Sequence, residues 1–99
     1  MFVIVSSYRA KVGEEDAFIA LHEDLQRNRC IKSRSYVSWE LLRKVENPHE
    51  FIVIAHFASE ELARAAASDL ERDGWFDRLV SLTEGGQVRA DYMSAWQLS

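Results

Sequence analysis

The sequence predicts an α+β fold in which one four-stranded sheet carries its helices on a single face. Three observations lead there. A hairpin turns at Asn47-Pro48 between strand-like residues 34–45 and 50–57, and apolar residues alternate along the first of these and again along 88–98; period two is the mark of a half-buried strand. Phe18, Leu21, His22 and Leu25 recur at i, i+3, i+4 and i+7, one stripe of an amphipathic helix. The third strand, Phe51 to Phe57, is apolar on both faces apart from His56, which calls for cover on both sides.

In order along the chain, Phe2 to Arg9 opens with the apolar run Phe2-Val3-Ile4-Val5 and reads as a strand. Gly13 ends the connection, and Glu14, Glu15 and Asp16 follow where a helix N-terminus favours negative charge. The helix closes near Arg27 and Arg29, and residues 30–33 form a loop. Residues 34–45 make the second strand, with Val37, Trp39 and Leu41 expected on one face and Tyr36, Ser38, Glu40 and Leu42 on the other. Glu46-Asn47-Pro48-His49 turns the chain, because proline has no amide to give a ladder. Ser59 is a fitting N-cap, with Glu60 and Glu61 in the first turn behind it. That second helix is rich in alanine (Ala63, Ala65, Ala66, Ala67) and so suited to close approach to a sheet. Gly74 breaks it. Trp75, Phe76, Leu79, Val80 and Leu82 form a further short helix, ended by Gly85-Gly86. Val88 to Leu98 is the last strand, with Val88, Ala90, Tyr92, Ser94, Trp96 and Leu98 sharing a face. The order β-α-β-β-α-(α)-β closes as a ferredoxin-like βαββαβ sandwich. Helices cover one sheet face only. The apolar residues left on the other point to a homodimer packed sheet to sheet.

The 99 residues form a single domain, 1–99, with 47% apolar and 28% charged residues, ordinary globular values. The net charge of −4 argues against nucleic-acid binding. No apolar run approaches the roughly 20 residues that span a bilayer, and Met1 to Val5 reads as strand rather than signal peptide, so no membrane association is expected. Cys30 is the lone cysteine, which fits a reducing, cytoplasmic setting.

The stretches Val12-Gly13-Glu14-Glu15-Asp16-Ala17-Phe18, Leu41 to Ile54 and Phe57-Ala58-Ser59-Glu60-Glu61-Leu62 resemble the antibiotic biosynthesis monooxygenase family. The resemblance implies a dimeric α+β barrel. It implies an activity drawn from cofactor-free oxygenation of polycyclic phenols, haem degradation or signal modification. Departures narrow this. Phe57 stands where the family often has a tryptophan at the end of the third strand. Arg64-Ala65-Ala66-Ala67 replaces the second-helix tryptophan of the haem-degrading branch. Ser6-Ser7 stands where that branch has a first-strand asparagine, and no histidine follows His56. Haem degradation is not expected. Cys30-Ile31-Lys32-Ser33 lacks the glycine usual before strand two.

Among candidate groups, His22, His49 and His56 have no paired metal-ligand spacing, so no metal site and no cofactor is expected. His22, on the flank of the helix stripe, reads as a general base or phenolate donor, or as a hydrogen-bonded histidine at the core edge. His56 either lines a pocket or bonds across the dimer, and is the second candidate for a proton role. Tyr36 and Trp39 are candidates for shaping a pocket for a flat ligand, while Tyr8, Tyr92 and Trp96 equally suit a core. Arg27, Arg29, Lys32 and Arg34 read as a solvated basic loop, or as a lure for an anionic substrate. Glu40 reads as a carboxylate base or an edge-strand charge. The expected activity is oxygenation of a small aromatic or quinone-like compound without a tightly held cofactor; the alternative is a non-catalytic ligand-binding or interaction module on the same scaffold.

Overall fold

The computed structural model describes residues 1–30 and 35–96. Its elements are β1 (Phe2–Ala10), α1 (Glu15–Leu25) running into a π-helical turn (Gln26–Cys30), β2 (Tyr36–Arg43), β3 (Glu50–Phe57), α2 (Glu60–Arg72), α3 (Trp75–Ser81) and β4 (Thr83–Met93). The sheet is antiparallel with strand order β2-β3-β1-β4, the ferredoxin-like arrangement. The positions expected in the loop at 31–33, Lys32 and Arg34 of the basic group, and Leu98 lie outside the described residues.

Strand alternation sorts the two faces. Phe2, Ser6, Tyr8 and Ala10 of β1 and Phe51, Val53, Ala55 and Phe57 of β3 are buried beneath the helices. The same face receives Phe18, His22 and Leu25 of α1, Ala63, Ala66 and Leu70 of α2, and Trp75 and Leu79 of α3. The opposite face carries Val3 against His56, Val5 against Ile54 and Ser7 against Ile52. Leu42 pairs with Ile52 at one side, and Val88, Ala90 and Tyr92 of β4 line up with Ser7, Val5 and Val3 at the other. Ile52 is 41% exposed, Tyr92 56% and Val88 72%. Both faces of β1 and β3 are thus apolar, and only one is covered by the described residues.

Local chemistry sets the helix ends. Ser59 Oγ accepts the Leu62 N–H at 3.2 Å, a cap worth about 1 kcal/mol. The start of α1 is held differently. Glu15 Oε1 accepts the Gly13 N–H at 2.8 Å and the His49 Nδ1–H at 3.0 Å, tying the helix to the β2–β3 turn. Gly74, at φ +72, makes the corner between α2 and α3, a left-handed conformation that favours glycine.

Three expectations are corrected. Strand β4 begins at Thr83 and contains Gly85-Gly86 instead of starting beyond them. Its register jumps from Ser7↔Val88 to Arg9↔Glu84; the extra residues are taken up where Gly85 and Gly86 have φ of +71 and +76. These glycines build a bulge. The strand ends at Met93, short of 98, and Trp96 is exposed. In β2, which spans 36–43 rather than 34–45, the register shifts between Tyr36 and Ser38. Val37 is displaced and exposed, and Tyr36 joins Trp39 on the helix face, their rings 5.8 Å apart.

Candidate functional site

Beneath α2 the helix face of the sheet leaves a cavity of about 80 Å³. The alanines explain it: Ala63, Ala66 and Ala67 bring helix backbone near the sheet but leave space where longer side chains would end. Its walls are the rings of Tyr36, Trp39, Trp75 and Phe76, and its floor is Ile4, Val53 and Ala55. One edge, where β1 meets β4, is polar: Ser6, Tyr8, Gln87 and Arg89.

Those polar groups are linked. Gln87 Nε2 donates to Ser6 Oγ at 2.7 Å, and the Tyr8 phenol is a polar neighbour of Ser6. Burial pushes the Tyr8 phenol up from 10.0 to about 12, against the smaller opposing pulls of the Ser6 hydroxyl and the Arg89 charge. Tyr8 therefore remains a neutral O–H at any ordinary pH. Arg89 is held in a two-toothed pair with Asp91, Nε to Oδ1 at 2.7 Å and Nη2 to Oδ2 at 3.2 Å.

His22 stands one ring behind this cavity. It is 1% exposed. Its Nδ1 lies 3.0 Å from the Phe18 carbonyl oxygen, which can only accept, so Nδ1 carries the hydrogen. In the neutral ring Nε2 is then a bare acceptor, and it is buried with no partner among the described residues. Burial lowers the imidazole below its ordinary value, opposed by the Phe18 bond. Around it stand Phe18 at 4.5 Å, Trp75 at 5.2 Å, Tyr8 at 6.2 Å and Trp39 at 6.3 Å between ring centroids. Gln26 Nε2 donates to the Trp39 carbonyl at 3.3 Å, fastening the end of α1 to β2.

The structure thus brings His22, Tyr36 and Trp39 to one side of the sheet. It places His56 on the other, half-buried on the open face, with Nδ1 2.9 Å from Ser38 Oγ. His49 is engaged with Glu15. Arg27 is paired with Glu23 at 2.9 Å. Glu40 is exposed on the open face. A wider groove of about 740 Å³ lies at the Arg9–Glu50 end of that face, where Glu50 meets Arg9 at 3.1 Å and Lys44 at 3.3 Å. Among the described residues no three metal-ligating side chains come together, and no helix is long and apolar enough to cross a membrane.

Sequence reasoning missed Ser6, Gln87, Arg89 and Phe76 as cavity residues. Ser6 was within reach, since it shares even parity with Phe2, Ile4 and Tyr8. Gln87 and Arg89 were hidden by the bulge.

The family model for antibiotic biosynthesis monooxygenase matches residues 1–69. No curated protein matches the sequence. Solved structures match throughout. The Mycobacterium tuberculosis protein Rv0793 superposes with a TM-score of 0.87 at 9% identity, covering 99% of this chain and 98% of that one. SnoaB, a cofactor-independent oxygenase from Streptomyces nogalater, does so at 0.84 and 14% identity, covering 98% and 95%. A candidate antibiotic biosynthesis monooxygenase from Nitrosomonas europaea gives 0.84 and 14%, covering 97% and 100%. At such identities the shared property is the fold.

Proposed function

The chain belongs to the antibiotic biosynthesis monooxygenase family, and from that premise we propose that it oxygenates a small hydroxylated aromatic or quinone-like compound in the cavity beneath α2, without a tightly held cofactor. The observation that carries this reading is the cavity's lining: the rings of Tyr36, Trp39, Trp75 and Phe76 and a polar edge of Ser6, Tyr8 and Gln87, where burial keeps the Tyr8 phenol protonated. A flat ring fits the walls, and a ring oxygen fits the edge. The Streptomyces nogalater neighbour, a cofactor-independent oxygenase, supports the reaction class.

In this chemistry the substrate supplies the electrons. The ring hydroxyl loses its proton, and the resulting anion passes one electron to O₂. The two radicals combine as a hydroperoxide, and loss of water leaves a carbonyl. A phenol's O–H, one ring C–H and O₂ become two quinone carbonyls and H₂O, so atoms and electrons balance. His22, neutral and with Nε2 open, is the proton acceptor; His56, across the sheet, is too far round to share the role at this cavity. Tyr36 and Trp39 shape the pocket.

A dry cavity of roughly 150 Å³ holds a benzene ring, so about 80 Å³ admits a ring only when the half-buried rim, Tyr36 and Phe76, gives way. Single-ring substrates are favoured over polycyclic ones for that reason. The protein acts as a cytoplasmic homodimer, its open sheet face covered by a second copy.

The test is oxygen uptake with a panel of hydroquinones and anthrones, with quinone product measured alongside. Uptake matched one to one by product supports the reading. Ligand binding with no uptake favours the binding module on the same scaffold, and neither binding nor uptake removes the cavity as a substrate site.

A further inference from the structure

Three buried nitrogens have no hydrogen-bond partner among the described residues: His22 Nε2, Trp39 Nε1 and Trp75 Nε1. They come from rings that are mutual neighbours. Centroids lie 5.2 Å apart for His22 and Trp75, 6.3 Å for His22 and Trp39, and 6.5 Å for the two indoles. His22 and Trp75 are each 1% exposed. An orphaned buried polar group costs about 1–3 kcal/mol, and native cores hold few of them. Three in one cluster require an explanation.

Their chemistry restricts what could satisfy them. An indole N–H only donates. His22 has spent its one hydrogen on the Phe18 carbonyl, so Nε2 only accepts. Two donors and one acceptor are the complement of a single hydroxyl oxygen, which has two lone pairs and one hydrogen. A carbonyl or ether has no hydrogen for His22, and an ammonium has no lone pair for the indoles. Trp39 and Trp75 also wall the cavity beneath α2, and His22 stands behind these two rings.

We propose that His22, Trp39 and Trp75 form a hydroxyl-binding site, in which a phenolic O–H of the cavity's ligand donates to His22 Nε2 while its oxygen accepts both indole N–H groups. This rests on the reading of the cavity as the substrate site, and it deepens that reading by requiring a free hydroxyl on the ring. When the proton moves, the substrate O–H breaks and an Nε2–H forms. The phenolate is then held by two indole donors beside an imidazolium, and the step needs no oxidant.

One competing arrangement uses the same rings. Trp39 and Trp75 cross at 88° and His22 and Trp75 at 82°, so the N–H groups could point into neighbouring π-faces. Such indoles would be indifferent to a hydroxyl.

The experiment is calorimetric titration of the full chain with phenol and with toluene, which replaces the hydroxyl by a methyl of similar size. Phenol should bind at least about tenfold more tightly, the worth of one or two hydrogen bonds. Trp39→Phe and Trp75→Phe should each weaken phenol by about tenfold and leave toluene within about twofold. The indole ¹⁵N–H resonances of Trp39 and Trp75 in the unsubstituted protein provide a readout independent of variant folding: phenol should move both downfield, and toluene should move neither in that sense. Equal affinities, no binding of either probe, or indole signals indifferent to phenol would overturn the proposal. Hydroxyl discrimination without oxygen uptake keeps this site and rejects the oxygenase reading; uptake without hydroxyl discrimination does the reverse.

Discussion

Raising the pH should unfold this protein through Tyr8. The side chain is 7% exposed, and burial pushes its phenol from 10.0 to about 12. Ionising it inside the fold therefore costs more than in the open chain. At about 1.36 kcal/mol per tenfold, two powers of ten correspond to about 3 kcal/mol. The sign follows from proton binding. Because the folded value is raised, the contribution is fully present below pH 10. It drains away between about 10 and 12, where the unfolded chain has lost a proton that the native state still holds. Urea denaturation at pH 9, 10, 11 and 12 measures this, with Tyr8→Phe as comparison. Tyr8→Phe should cost about 1 kcal/mol at pH 8, since the phenol's polar contact with Ser6 is lost. It should then lose about 2–3 kcal/mol less than wild type between pH 9 and 12. Parallel decline in both proteins would refute the assignment of the phenol to a dry site.

The remaining predictions concern the same face and its opposite. Burial lowers the His22 imidazole below 6.5, so the unfolded chain takes up a proton first as pH falls. Thermal stability should hold above pH 6.5 and decline below it, and His22→Gln should flatten that decline. Ala66→Leu adds three carbons toward the cavity. The gain of about 0.8 kcal/mol per buried CH₂ is offset by crowding of 1–3 kcal/mol, so denaturation should change by no more than about 1 kcal/mol while phenol binding in the same titration disappears. Ile52→Lys, on the open face, should leave a monomer's stability within about 0.5 kcal/mol. In sedimentation at micromolar concentration it should convert a species of twice 11.4 kDa into one of that mass; a wild-type protein that already runs at the lower mass would contradict a sheet-to-sheet dimer.

What could be read from the sequence was whatever depends on unbroken local periodicity. The α1 stripe pointed His22 toward the helix–sheet cleft, and the two-sided apolarity of β3 marked the uncovered sheet face. Reading failed wherever one residue broke the period. Val37 is displaced from the β2 ladder, so Tyr36 changes sides and meets Trp39. Gly85 and Gly86 look like terminators, yet their left-handed conformations keep β4 running through a bulge, with Gln87 and Arg89 at the cavity edge beyond it. The unpartnered nitrogens of Trp39 and Trp75 could not be foreseen at all, because whether an indole N–H finds an acceptor is decided by neighbours from three other elements.

The two titrating groups of this core bear on how the proposed reaction can run. Dryness acts on both partners of the proton transfer in the wrong direction. It raises a phenol, as Tyr8 shows at about 12, and it lowers the imidazole of His22. A substrate phenol in the same surroundings would not give up its proton to His22 on basicity alone. Donors aimed at the developing phenolate shift that balance. A hydrogen bond to a charged oxygen contributes about 1.5–3 kcal/mol, so two indole N–H groups recover about 3–6 kcal/mol, or two to four powers of ten. They are preorganised in the core and need no rearrangement as charge appears. On this account the tryptophans govern the proton step as strongly as the base does. Removing one indole N–H by Trp75→Phe should then slow turnover more than it weakens binding, because its bond to a neutral hydroxyl is worth less than its bond to the phenolate that follows.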